Sequence, residues 1–161
     1  MAVGFLDFST KHGVAESTNL KATIVGNIWN IKAAANIDNG AIVGRGDYQA
    51  PEYYAEAAAS QTFAGKIIEK AANGMWRVLV TAAADTDGLV LSVPLIYEEY
   101  TTRMQEESNF FNLKDDLLRV YQLVPGDVFS VSAECFTTTP TDASIGKAVS
   151  VSSKKLAISN N

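Results

Sequence analysis

The sequence contains few of the side chains from which metal sites and nucleophilic active sites are built. Its 161 residues include one histidine, His12, and one cysteine, Cys135. Zinc and similar metals take several His or Cys ligands, and a Ser/His/Asp or Cys/His arrangement needs a histidine beside the nucleophile. The two residues lie near opposite ends of the chain. We therefore expect no catalytic residues, no metal site and no cofactor.

A single cysteine also excludes an internal disulfide. Cys135 lies in a run where apolar residues alternate with Ser and Glu, "VFSVSAECF". Free cysteine in such a run is usually a small buried hydrophobe. We predict this role for Cys135.

Long apolar stretches and clustered cations are also missing. No apolar run approaches the roughly 20 residues of a membrane helix, and the first residues, "MAVGFLDFSTKHGVAE", do not resemble a secretory signal. We therefore expect synthesis and residence in the cytoplasm and no membrane partner. The 13 Lys and Arg are outnumbered by 18 Asp and Glu, which gives a net charge of -5. Because a phosphate backbone is neutralised by many cations, nucleic acid is not an expected partner.

Carboxylates are the remaining candidates for chemistry. Two pairs could ligate calcium: Asp85 with Asp87, and Asp115 with Asp116. In "DTDG" the same residues suit a turn, because Asp side chains accept bonds from nearby backbone N–H groups, and we favour the turn. A glycosidase-type pair depends on a separation in space that a sequence leaves open. Its possible members are Glu98, Glu99, Glu106 and Glu107.

Residues 44–48, "GRGDY", contain the Arg-Gly-Asp tripeptide of animal adhesion proteins. They lack the Lys-Ser/Thr of a nucleotide-binding loop. Gly and Asp are the residues that turns recruit. We therefore predict a polar turn between two strands instead of an adhesion signal.

The hydrophobic pattern predicts one mainly β domain. Hydrophobic residues make up 47% of the chain and charged residues 19%, which is typical of a globular protein. Successive β-rich runs are separated by Gly-containing turns, which favours a single antiparallel β-barrel or β-sandwich with meander or Greek-key connections. We expect one or two short helices, near residues 50–60 ("APEYYAEAAAS") and 98–107.

Turn residues also predict which strands form hairpins. Asn-Gly sequences at residues 38–40 and 72–74 favour hairpin turns, and "VPGD" at residues 124–127 separates two β-rich runs. We predict a hairpin at each, with "DTDG" continuing the second one into a three-stranded meander. The run after residue 145 predicts one or two closing strands.

Residues 1–20 combine apolar side chains with Ser, Thr, Asn and Gly without a regular period, which predicts an extended N-terminal arm before a β-rich domain at 21–161. Its apolar residues need burial that the arm does not supply, so we expect the arm to lie in a groove of another subunit. The candidate contact residues are Val3, Phe5, Leu6 and Phe8.

Aromatic residues supply a second set of candidate contacts. Those that could act as stacking platforms are Trp29, Tyr53, Tyr54, Trp76 and Tyr97. Trp76 begins an apolar run, so we expect it in the core. Tyr53 and Tyr54 are the candidates that we expect to be exposed.

The order of segments resembles the head decoration, or cement, proteins of tailed bacteriophages. The segments that carry the resemblance are "IDNGAIVGRGDY" (37–48), "GMWRVLVTAAADTDGLVLSVPLIYEEY" (74–100), "NFFN" (109–112), "LLRVYQLVPGDVFSVSAECF" (117–136) and "IGKAVSV" (145–151). The resemblance covers residues 37 to 158 and leaves the N-terminal arm unmatched.

The resemblance implies a mainly β structural protein without enzymatic activity. Its expected partner is the major capsid protein, on the exterior of a virion assembled in a bacterial cytoplasm. We expect a homo-oligomer, with a trimer favoured over a dimer because capsids offer symmetry sites. The alternative is a phage tail or fibre component, or a carbohydrate-binding module.

Overall fold

The computed structural model describes residues 5–6, 12–50, 53–57, 62–72, 74–91 and 110–159. The chain is mainly β, with 52% strand and 8% helix, which confirms the predicted fold class. In chain order, the strands of these residues are β1 (Phe5–Leu6), β2 (Ala15–Asn19), β3 (Ile28–Lys32), β4 (Ile42–Gln49), β5 (Tyr53–Ala57), β6 (Ala64–Lys70), β7 (Trp76–Ala82), β8 (Asp87–Val90), β9 (Phe110–Phe111), β10 (Leu117–Gln122), β11 (Val128–Val131), β12 (Ala148–Ser152) and β13 (Lys155–Ile158).

Five strands close into a small barrel in the order β10-β3-β5-β4-β8. All of its pairs are antiparallel except β3 with β5, which run parallel. Apolar side chains fill the interior, among them Ile31, Val43, Val90, Leu118 and Val120, all fully buried. A barrel of this size therefore has a packed core.

Six further strands form an antiparallel sheet in the order β13-β12-β6-β7-β11-β2. Its core contains Trp76, Val78 and Phe129 together with Ile42 and Leu89 of the barrel. Successive strand residues point to opposite faces. Ile42 therefore belongs to the core that the barrel shares with the sheet, while the next residue, Val43, fills the barrel interior.

The helices of the described residues are short. They are α1 (Lys21–Val25) and two 3-10 turns, Ala133–Cys135 and Asp142–Ser144. Helix α1 ends at Gly26, whose φ of 77° is a conformation that favours glycine. Among these helices, none has the length and hydropathy needed to cross a membrane.

The helix predicted near residues 50–60 is wrong, because Tyr53–Ala57 is a barrel strand. The segment pairs with β3 on one side and β4 on the other. Short isolated helices are marginal even when Ala-rich, so tertiary pairing overrides the local preference. The second predicted helix, at 98–107, lies outside the described residues.

One of the three predicted hairpins is confirmed and two are wrong. Strands β6 and β7 pair on either side of residues 72–74, and β12 and β13 are the predicted closing strands. The turn at 38–40 does not pair β3 with β4, because β5 lies between them in the barrel. The "VPGD" turn links β10 of the barrel to β11 of the sheet, and "DTDG" links β7 of the sheet to β8 of the barrel. The turns at 124–127 and 85–88 therefore each connect a strand of the barrel with a strand of the six-stranded sheet.

The N-terminal segment pairs with its own chain where it is described. Phe5–Leu6 forms an antiparallel pair with Phe110–Phe111, and Ala15–Asn19 is the edge strand beside β11. Leu20, which follows that strand, is buried. The last part of the predicted arm is thus part of the six-stranded sheet, and Val3 and Phe8 lie outside the described residues.

Candidate binding surface

The segment "GRGDY" forms a β-bulge within β4, so the predicted turn is wrong. Arg45 pairs with Glu56 and Tyr48 pairs with Tyr54, which leaves two residues of β4 opposite the single residue Ala55. A Cβ atom on Gly46 would lie 2.8 Å from the backbone oxygen of Ala55. Glycine therefore permits this close approach. A bulge redirects the side chains that follow it, and here Tyr48 follows.

The bulge brings an arginine and three aromatic rings together. The guanidinium carbon of Arg45 lies over the Trp29 ring, 4.5 Å from its centroid, and over the Tyr54 ring, 5.1 Å from its centroid. The Tyr48 and Tyr54 rings meet edge to face, with centroids 5.4 Å apart. Both arrangements are attractive, since the face of an aromatic ring is electron-rich. We call these four residues the aromatic–arginine cluster.

The cluster lies at one end of the barrel interior. Trp29 is two residues before the buried Ile31, and Arg45 is two residues after the buried Val43, so each continues an inward face. Trp29 and Tyr54 pack against the barrel core. Tyr48, in contrast, is 58% exposed. The cluster is therefore anchored in the core and presents one ring to solvent.

The charge of Arg45 is not balanced within the cluster. Glu56 stands opposite Arg45 in the strand register, yet its carboxylate accepts a 2.7 Å bond from the Ala34 N–H and pairs with Lys154. Across the part of the chain that the structure describes, no carboxylate contacts the Arg45 guanidinium. Arginine stays protonated in proteins. The cluster thus carries a partly buried positive charge.

The predicted contact residues Tyr53 and Tyr54 point to opposite faces of β5. Tyr54 belongs to the cluster, whereas the Tyr53 ring lies 5.7 Å from Lys32 Nζ. Trp76 is 3% exposed, which confirms its predicted core position. Tyr97 lies outside the described residues.

Cys135 is buried, at 5% exposure, which confirms the prediction of a core thiol. Burial raises the pKa of this thiol to about 12. The thiolate is the nucleophilic form, so Cys135 is unreactive near neutral pH. A cavity of about 190 Å³ adjoins it, lined also by Asp38, Glu134 and Lys154.

His12 connects the N-terminal segment to the loop before β4. Its Nδ1 lies 2.7 Å from Asp38 Oδ1, and its ring stacks on Phe111 with centroids 4.8 Å apart. The other oxygen of Asp38 accepts a 3.1 Å bond from the Gly13 N–H. These contacts position the segment that enters β2.

In each of the two possible calcium-ligand pairs, one carboxylate accepts bonds within a turn, as the favoured turn interpretation predicts. The buried Asp87 carboxylate accepts bonds from the Ala84 N–H at 2.7 Å and the Thr62 hydroxyl at 3.2 Å. Asp116 accepts a 3.3 Å bond from the Leu113 N–H. No group of three or more His, Cys, Asp or Glu that could hold a metal occurs within the described ranges. The four glutamates of the possible glycosidase pair lie outside them.

Comparisons with protein-family models, with curated proteins and with solved structures find no match to this chain. The aromatic–arginine cluster is therefore interpreted from its own geometry. Of the four cluster residues, Trp29 and Tyr54 are candidates predicted from the sequence, whereas Arg45 and Tyr48 are not. The sequence does contain a signal for Arg45. It lies two residues after the apolar Val43, so in a strand both side chains lie on the same face.

Proposed function

We propose that this protein is a non-enzymatic virion protein that binds the outer surface of a phage capsid. There it would stabilise or decorate the assembled head by clamping neighbouring major capsid subunits. The observation that supports this most directly is the aromatic–arginine cluster, with Tyr48 exposed on a strand anchored in the barrel. Tyr, Trp and Arg are the residues most enriched at the energetic centres of protein interfaces.

The chemistry of the described residues supports binding over catalysis. The thiol of Cys135 is held neutral by burial, and its pKa of about 12 removes the usual cysteine nucleophile. The imidazole of His12 is bonded to Asp38. The buried carboxylates of Asp87 and Asp127 accept backbone N–H bonds in turns. These groups have structural partners and fit a protein that acts through its surface.

Binding to a lattice suits a small domain with modest contacts. A protein that binds only the assembled arrangement stabilises it by mass action. If the protein is an oligomer, and a trimer matches capsid symmetry, its linked copies raise the effective concentration at each site. Each apolar side chain of the N-terminal segment moved from water to a capsid groove would contribute about 1.5 to 3 kcal/mol before ordering costs.

A co-sedimentation experiment with purified heads tests this function. Wild-type protein added to mature heads should bind saturably, at a fixed number of copies per capsid. Tyr48→Ala should weaken binding by about 30-fold or more, because truncating a tyrosine at the energetic centre of an interface typically costs about 2 kcal/mol or more. Ile145→Ala is the matched control, since Ile145 is another exposed large apolar residue, at 43% exposure. If wild-type protein does not co-sediment with purified heads, the proposal is wrong.

The same exposed ring supports a second candidate function, that of a phage tail or fibre component or a carbohydrate-binding module. Sugars stack on tyrosine rings, and Tyr48 is 58% exposed beside Tyr54, whose ring it meets edge to face. A glycan array probed with the isolated protein separates the candidates. Glycan binding that is abolished by Tyr48→Ala and Tyr54→Ala would favour this function over capsid binding.

A further inference from the structure

We propose that the aromatic–arginine cluster receives a carboxylate side chain, Asp or Glu, from the protein to which this chain binds. The inference rests on the proposed function, because it names the chemistry of the partner at the same surface. Arg45 is the receiving group. Its guanidinium lies over the rings of Trp29 and Tyr54, and the Tyr48 ring contacts Tyr54.

The first argument is the incomplete bonding of Arg45. A guanidinium offers five N–H donors, and the faces of aromatic rings accept none of them in conventional hydrogen bonds. The ring contacts therefore hold the group in position and leave its donors available. A planar guanidinium held in this way matches a carboxylate through two parallel bonds.

The second argument is that the two acidic residues nearest to Arg45 on β4 and β5, Glu56 and Asp47, do not pair with its guanidinium. Glu56, the cross-strand neighbour of Arg45, is occupied by Lys154 and the Ala34 N–H. Asp47 is only two residues from Arg45, but it is exposed and makes no ion pair with that guanidinium within the described residues. Within the described residues no carboxylate balances the charge of Arg45, and we therefore assign that carboxylate to the partner.

The third argument favours a protein carboxylate over a small acidic ligand. Small molecules bind in concave cavities that cover most of their surface. Tyr48 is 58% exposed, and within the described residues the cavities beside Cys135 and beside Tyr53 are lined by none of the four cluster residues. The cluster instead presents Tyr48 outward beside a fixed arginine, an arrangement suited to a projecting loop of another protein.

Two experiments test the assignment separately from the proposed function. In the first, ¹⁵N-labelled full-length protein is titrated with N-acetyl-glutamate α-amide, and the Arg45 Nε–H and Trp29 indole N–H signals are followed. We expect saturable shifts that the N-acetyl-glutamine α-amide control does not produce and that Arg45→Gln abolishes. Arg45→Lys keeps the charge without the planar fork and should bind more weakly. Equal shifts with the glutamine probe overturn the inference, as does saturation at a lower concentration by glucuronate or inorganic phosphate.

In the second experiment, variants of Arg45 are bound to purified heads. Arg45→Gln should lose about tenfold or more in affinity, because a hydrogen bond to a charged group is lost, and Arg45→Lys should lose less. Ile145→Ala should match wild type. If wild-type protein binds heads and Arg45→Gln binds equally well, the inference is wrong and the proposed function stands. If wild-type protein does not bind heads, the proposed function fails, and the probe titration still decides whether the cluster takes a carboxylate.

Discussion

Glu56 and Lys154 form an ion pair that connects the barrel to the six-stranded sheet. Glu56 lies on β5, and its side chain is 1% exposed, whereas Lys154 lies in the turn between β12 and β13 and is 29% exposed. The backbone oxygen of Lys154 also accepts a 3.0 Å bond from the Ile42 N–H. This turn therefore docks on two barrel strands.

The unequal burial of the pair predicts unequal costs when either partner is replaced. Lys154→Met leaves a buried carboxylate without its cation, which should lower the free energy of unfolding by about 3 kcal/mol. Glu56→Gln leaves a lysine that reaches water and keeps an oxygen for the Ala34 N–H, so about 1 kcal/mol is expected. Urea unfolding at neutral pH measures both values.

Lys155→Met serves as the control for this prediction, because Lys155 is the exposed neighbour of Lys154. Its effect should be within about 0.5 kcal/mol of wild type. Equal costs for Lys154→Met and Glu56→Gln would contradict the account of a buried carboxylate.

The bulge in β4 predicts a specific sensitivity at Gly46. Gly46→Ala places a Cβ atom 2.8 Å from the Ala55 backbone oxygen, and a backbone atom yields only if the strands shift. We expect a loss of about 1 to 3 kcal/mol in the free energy of unfolding. Asp47→Ala, at the exposed neighbouring position, should be nearly neutral. A stable Gly46→Ala protein with unchanged Tyr48 and Tyr54 signals in NMR spectra would show that the bulge is not required.

The sequence predicted the composition of the fold better than its connectivity. Alternation marked the strands, and turns with Asn-Gly correctly paired β6 with β7. The sequence could not show that Ile42 and Val43 belong to two different cores. Two adjacent apolar residues in a strand indicate only that both faces of the strand are buried. Since the first half of β4 is buried on both faces, long-range packing sets its neighbours. The turns at 38–40 and 124–127 therefore reverse the chain without pairing the strands they join.

The buried thiol predicts a pH dependence of stability at alkaline pH. Below pH 9, Cys135 is protonated in both the folded and the unfolded chain. Between the ordinary pKa of 9.0 and the folded pKa of about 12, only the unfolded chain loses the proton. Folding stability should therefore fall by about 1.4 kcal/mol per pH unit through this window, relative to Cys135→Ala.

Unfolding of wild type and Cys135→Ala between pH 8 and 11 measures this difference. Because Lys and Tyr also titrate in this range, the comparison of the two proteins isolates the thiol. A difference that does not change with pH would show that Cys135 ionises alike in both states.

The N-terminal segment can be tested by deletion. Removing residues 2–10 takes away Val3, Phe5, Leu6 and Phe8 and the β1 pairing with β9. If the segment contributes to capsid binding, occupancy on heads should fall while the thermal unfolding of the barrel and sheet changes little. Unchanged occupancy would eliminate the segment as a contact and leave the barrel end as the binding surface.

The candidate site was only partly readable from the sequence. The sequence points to Trp29 and Tyr54 because aromatic residues are versatile contacts, and both belong to the cluster. It does not point to Arg45 and Tyr48, because "GRGDY" has the composition of a turn. A bulge and a turn recruit the same small and polar residues, and only the strand register distinguishes them.

The most direct measurement is electron cryomicroscopy of mature heads saturated with this protein. The account predicts density at regular lattice positions on the capsid exterior, with the aromatic–arginine cluster facing the major capsid protein and a carboxylate beside Arg45. Lattice density in which the barrel end with Tyr48 faces solvent would contradict the assigned surface. An undecorated lattice at saturating protein concentration would contradict the account as a whole.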